Sequence, residues 1–175
     1  MGQTRELDAF RNLVRLSRQL QAPGGCPWDR AQTVTSLFPH LIEEVWEAFA
    51  ALQDNRQGTL REELGDVLYT CIFLALLAER DRQFTVVDLL TESRHKMIRR
   101  HPHVFGSAKA ATARQAYTHW KRAKRGEEQR STRVPKKLRT LMVELWGQLL
   151  TSPKSAQRLR RWMASERTHR RPSAK

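Results

Sequence analysis

Nowhere does the 175-residue sequence stay apolar for long. Its longest near-continuous run is Cys71 to Ala78, CIFLALLA, far below the roughly 18 residues that a membrane-spanning helix needs. The N-terminal stretch MGQTRELDAFR has no apolar signal core, so an unexported, cytoplasmic protein with no membrane partner is the expectation. Cysteine is equally scarce. Cys26 and Cys71 are the two thiols, and neither sits in a CxxC or Cys/His group of zinc-site spacing, which argues against a disulfide framework and a zinc ribbon. No period-two alternation marks a strand, and no segment repeats. Apolar residues as such are plentiful at 39%; they suffice for one real core and exclude disorder of the whole chain.

The net charge of +14 is unevenly spread. Residues 1–105 carry 13 Lys+Arg against 14 Asp+Glu, whereas residues 106–175 carry 19 against 4. A near-neutral module is therefore followed by a strongly basic one, and the charge argues for a nucleic-acid partner only in its second part.

Periodicity predicts helices throughout. Leu7, Phe10, Leu13, Val14, Leu16 and Leu20 recur at three- and four-residue spacing, which predicts a helix over residues 4–21 that ends at Pro23-Gly24-Gly25. A second helix is expected to begin near Pro39, whose fixed φ suits a first turn, and to end near Asp54. After a polar turn, Asp54 to Gly58, a third is expected over residues 59–81, apolar over most of its second half and so central in a bundle. A fourth spans 86–100 and stops at His101-Pro102. Residues 110–125 form another up to Gly126, and 135–150 a further one within the basic segment.

The most informative residues are acids. Glu43-Glu44-x-x-Glu47 and Glu62-Glu63-x-x-Asp66 each place like charges at i,i+4, a cost of roughly 0.2–0.5 kcal/mol per pair unless relieved. No Lys or Arg at helical spacing relieves either set. In an antiparallel pair turning near Asn55, Glu44 lies level with Asp66 and Glu47 with Glu63. For any one Glu, a solvated helix face is the ordinary explanation; the matched height and matched spacing of two cation-free sets point elsewhere. Four converging carboxylates need a cation, and all-oxygen donors select Mg²⁺ before Mn²⁺ or Ca²⁺. Such a metal commonly handles phosphate, and Lys96, Arg99 and Arg100, at i, i+3 and i+4, offer a counter-charge, although cations at a helix C-terminus are also common for their own sake.

With these residues in view, the sequence resembles the MazG family of nucleoside triphosphate pyrophosphohydrolases, all-α enzymes related to the dimeric dUTPases. The matching text is GGCPWDRAQT (24–33), LIEEVWEA (41–48), EELGDVLY (62–69) and KMIRRHPHVFG (96–106), with HWKRAKRGE (119–127) as a closing helix. The resemblance implies a four-helix-bundle-like module over 1–126, followed by a basic helical extension, 127–175, that is a diverged remnant of a second module. It implies hydrolysis of an NTP to the monophosphate and pyrophosphate, for house-cleaning, by a homodimer. Glu44, Glu47, Glu63 and Asp66 would hold Mg²⁺, with Mn²⁺ as a substitute, and Glu43 would orient water. Lys96, Arg99 and Arg100 would hold the polyphosphate, and Trp120 would lie against the nucleotide.

The remaining motifs read as structure. Cys26-Pro27-Trp28-Asp29 is expected to be a rigid turn with Asp29 capping or salt-bridging, and tryptophans in a bundle are more often core. His101 and His103 have no third ligand at zinc spacing. The competing function is an inactive bundle that acts as a regulatory partner or binds nucleic acid through residues 106–175.

Overall fold

The structure, a computed structural model, describes residues 2–53 and 57–128. All of its regular elements are helices: α1 (Gly2–Gln21), α2 (Pro27–Ala31), α3 (Val34–Gln53), α4 (Gln57–Arg80), α5 (Val86–Arg100), α6 (Pro102–Phe105) and α7 (Ala113–Glu128). The chain divides into two compact units, Met1–His95 and Lys96–Lys175, with the boundary inside α5.

In the first unit α3 and α4 make the most extensive helix pairing, and α1 packs on α4 and α2. Leu37, Phe73 and Leu77 are buried together, flanked by Val34, Tyr69 and Leu74. The expected central helix is realised in the second half of α4, where Ile72, Phe73 and Ala75 to Ala78 are all buried. Its first half is different in kind: Leu64 and Leu68 remain exposed beside the acids.

The ends of these helices are set by chain chemistry. α1 stops because Gly24 takes a left-handed φ of 84°, and the amide of Cys26 reaches back to the Leu20 carbonyl at 2.9 Å. A Cβ on Gly25 would stand 2.3 Å from that same carbonyl oxygen, so the turn admits no side chain there. α4 closes on Arg82, at φ 56°, with Gln83 N–H on the Ala78 carbonyl and Arg82 N–H on that of Glu79, a left-handed helix cap without the usual glycine.

The start of α3 departs from expectation. The helix begins at Val34, five residues before Pro39, because Thr33 and Ser36 cap it reciprocally: the Ser36 amide donates to Thr33 Oγ1 at 3.1 Å and the Thr33 amide to Ser36 Oγ at 2.9 Å. Pro39 then sits inside the helix, and the bond it cannot donate would have gone to the carbonyl of Thr35, an exposed residue. α7 likewise runs through Gly126 rather than ending there. The expected helix over 135–150 and the rest of the basic segment lie outside the described residues.

Candidate functional site

The register of α3 against α4 decides where the acids go. One carboxylate oxygen from each of Glu44, Glu63 and Asp66 lies within 4.8 Å of the others, and Glu47 hydrogen-bonds Glu63. Three of the four candidate metal ligands thus come together across the helix pair, Glu44 from α3 with Glu63 and Asp66 from α4; Glu47 joins them through Glu63 but is not in the metal-sized group. Among the described residues these three are the one group of His, Cys, Asp or Glu side chains close enough to share an ion. The electrostatic cost is visible. Burial, then the charges of Glu47, Asp66 and Glu63, push the Glu44 carboxyl up to about 7. Burial, then Glu47, Asp66 and Glu62, also raise Glu63. Carboxylates that resist ionising together, on oxygen donors alone, are what a hard divalent cation would relieve.

Glu43 plays a separate part. It is buried, 9% exposed, and its Oε2 lies 3.5 Å from Nδ1 of His40 one turn earlier. The His40 ring in turn meets the indole of Trp28 edge-on, at 5.6 Å and 74°, so α2 touches the acidic motif through one imidazole. Sequence reasoning missed His40. Its signal was the i,i+3 spacing to Glu43, but a helix begun at Pro39 leaves His40 in a fraying first turn. Asp29 is buried in the first turn of α2. It neither caps nor salt-bridges among the described residues, contrary to expectation; its charge adds to the burial that chiefly raises the pKa of Tyr69, whose hydroxyl bonds Ser17.

The second unit holds the other candidates. Lys96, Arg99 and Arg100 occupy the last turns of α5, yet the two arginines are not an open cationic face. Arg100 Nε and Nη2 donate to Glu127 Oε2 at 2.9 and 2.7 Å, and Arg99 Nη2 donates to Oε1 at 3.4 Å. Burial pushes the Glu127 carboxyl up, but the hydrogen bonds and charges of Arg100 and Arg99 outweigh it and hold it below the usual range. Trp120 is half-buried and ringed by cations, with the Arg100 guanidinium 5.2 Å and Lys124 Nζ 5.0 Å from its ring centroid. Tyr117 stacks parallel to it at 5.9 Å.

Beside Trp120 an open pocket of about 310 Å³ is lined by His101, His103, Ala116, Tyr117 and Trp120. The third histidine that the local sequence lacks arrives from α7: His119 stacks on His103 at 5.8 Å, and His103 meets His101 at 5.6 Å. His101 Nδ1 is taken by the Met97 carbonyl and His119 Nε2 by that of Lys109. The three rings do not gather their nitrogens into a metal-sized group.

Residues 32–105 match the MazG nucleotide pyrophosphohydrolase domain. The chain is 39% identical over 127 residues to the nucleoside triphosphate pyrophosphohydrolase/pyrophosphatase MazG of Thermotoga maritima, covering 71% of this chain and 48% of that protein. It is 31% identical over 137 residues to the nucleoside triphosphate pyrophosphohydrolase of Escherichia coli K12, covering 74% and 52%. A crystal structure of a MazG-related protein from Thermotoga maritima superposes with a TM-score of 0.57 at 28% identity, over 66% of this chain and 98% of that one. The chain spans about half the length of the two curated relatives. Residues 32–105 of this chain therefore carry a MazG nucleotide pyrophosphohydrolase domain.

Proposed function

We infer that the chain is a magnesium-dependent hydrolase that converts nucleoside triphosphates to the monophosphate and pyrophosphate, with broad tolerance of the base. The observation that carries this reading is the meeting of Glu44, Glu47, Glu63 and Asp66 across α3 and α4 within a MazG domain. A divalent ion held by these four would neutralise their charge, acidify a water and polarise phosphoryl oxygens. Glu43, kept from solvent and against His40, is the carboxylate to orient the attacking water and accept its proton. Lys96, Arg99 and Arg100 hold the polyphosphate, and Trp120 lies against the nucleotide. Water forms a bond to the α-phosphorus as the bond to the bridging oxygen breaks, and pyrophosphate leaves with the electron pair. No covalent nucleophile is needed.

The catalytic module is residues 1–126, and 127–175 is an appended basic extension. Exposed Phe38 and Ile42 on α3, with Leu64 and Leu68 on α4, support a homodimer through the helix pair that carries the acids. Among the described residues no helix is long and apolar enough to cross a membrane. The role that goes with this reading is the clearing of surplus or non-standard nucleotides in the cytoplasm. The test is incubation of pure protein with Mg²⁺ and a panel of NTPs and dNTPs. Monophosphate and pyrophosphate are the expected products; diphosphate and orthophosphate would mean that the wrong bond has been assigned.

A further inference from the structure

Acid is rare in the second half of the chain, and one of its few carboxylates is paired to both Arg99 and Arg100. Beyond Gly106 there are four acidic residues. Within α7, Glu127 and Glu128 stand against Arg114, Lys121, Arg122, Lys124 and Arg125. What holds Glu127 is α5: two bonds from Arg100 to one oxygen and one from Arg99 to the other. Guanidinium forks accept carboxylate and phosphate by the same geometry. The Arg100 side chain is only 14% exposed, which leaves little room for a second anion while Glu127 remains. Among the described residues, Glu127 is the acid paired to both arginines.

We propose that Glu127 sets the affinity of the chain for polyphosphate: its carboxylate fills the Arg99–Arg100 seat, and a bound phosphate chain takes that seat by displacing it. This rests on Arg99 and Arg100 being polyphosphate ligands of the proposed hydrolase, and adds an acid that works against binding. Displacement unfastens Glu127 of α7 from Arg99 and Arg100 of α5. The residue acts through the arginines, so it moves the affinity for phosphate and not the bond cleaved.

Inorganic tripolyphosphate, titrated calorimetrically into the full chain at fixed ionic strength without nucleotide, reads this directly. Glu127→Gln should bind it about three- to fivefold more tightly than wild type, a change of the size a single ion pair makes. Glu128→Gln makes the same change in net charge one residue away and should leave binding within a factor of about 1.5. Equal tightening by both substitutions overturns the proposal, since net charge alone would then be at work. Unchanged or weaker binding by Glu127→Gln also overturns it, marking the pair as a structural tie; the shorter Glu127→Asp, which keeps the charge, checks that outcome and should fall between wild type and Gln. No binding of tripolyphosphate to any variant overturns it too. Hydrolysis is scored separately: absent NTP turnover with tightened Glu127→Gln binding leaves this inference standing and removes the hydrolase, and the reverse pattern does the opposite.

Discussion

Glu44 carries a consequence that pH can read. Its carboxyl is pushed up to about 7, first by burial and then by Glu47, Asp66 and Glu63, whereas in an unfolded chain it would lose its proton near 4.5. Between those values the folded, metal-free protein binds more protons than the unfolded one, so stability falls as pH rises through that window and levels off above it. Glu63 shifts in the same direction. The melting temperature of chelator-treated protein should therefore decline from pH 5 to pH 7, and Glu44→Gln should flatten that decline; a metal-free melting temperature that climbs across the window contradicts the assignment. Glu47→Gln and Asp66→Asn should each lower NTP turnover by roughly two orders of magnitude or more, with the metal-free fold as stable as wild type or more so, because each removes like-charge repulsion. A loss of several degrees would mark them instead as members of structural ion pairs. These acids were legible in sequence because the spacing that brings them together is the helical repeat and because the missing cations are visible in one dimension. His40 and Glu127 were not: the first depends on where α3 begins, and the second on a contact between residues 27 positions apart.

At the scale of elements, the sequence reading located the long helices among the described residues, but their ends followed local side-chain chemistry that hydrophobic period does not see. The reciprocal Thr33 and Ser36 bonds moved the start of α3 upstream of a proline that looked like a beginning. The same device opens α5, where Thr85 and Asp88 exchange bonds, the Asp88 amide donating to Thr85 Oγ1 at 3.0 Å and the Thr85 amide to Asp88 Oδ2 at 2.9 Å; there the predicted start at residue 86 was right. The end of α4 is the element with something to gain. Arg82 holds a left-handed φ of 56° that glycine adopts without steric cost, so Arg82→Gly should raise stability by about 0.5–1 kcal/mol, measured as an upward shift of the urea midpoint with an unchanged slope. Gly25→Ala, by contrast, must fail there, since its methyl carbon would overlap the Leu20 carbonyl.

On the scale of the whole molecule, substrate preference is the property that the proposed contacts leave broad. Carboxylates, arginines and a stacking indole engage metal, phosphate and any base face, so kcat/KM across the common NTPs and dNTPs should spread over no more than about two decades, where a dedicated hydrogen-bond pair gives about 10⁴ or more. Arg100→Ala should depress all triphosphates alike. A thousandfold preference for one base would implicate the His101 and His103 side of the pocket beside Trp120. The dimer is open to sedimentation: Leu68→Glu, a charge on the exposed apolar stripe of α4, should shift the chain toward monomer, and an unchanged mass would put the interface elsewhere.

The acidic quartet and the principal packing of the first unit belong to the same two helices. An ion that bridges α3 to α4 is therefore a staple as well as a reagent. Any ligand that prefers the native state raises stability by mass action, about 2.7 kcal/mol at a hundred times its dissociation constant. Melting curves taken in a concentration series of Mg²⁺, Mn²⁺ and Ca²⁺ should consequently rank the three ions by affinity with no nucleotide in the cuvette, turning the thermal transition itself into a titration of the site.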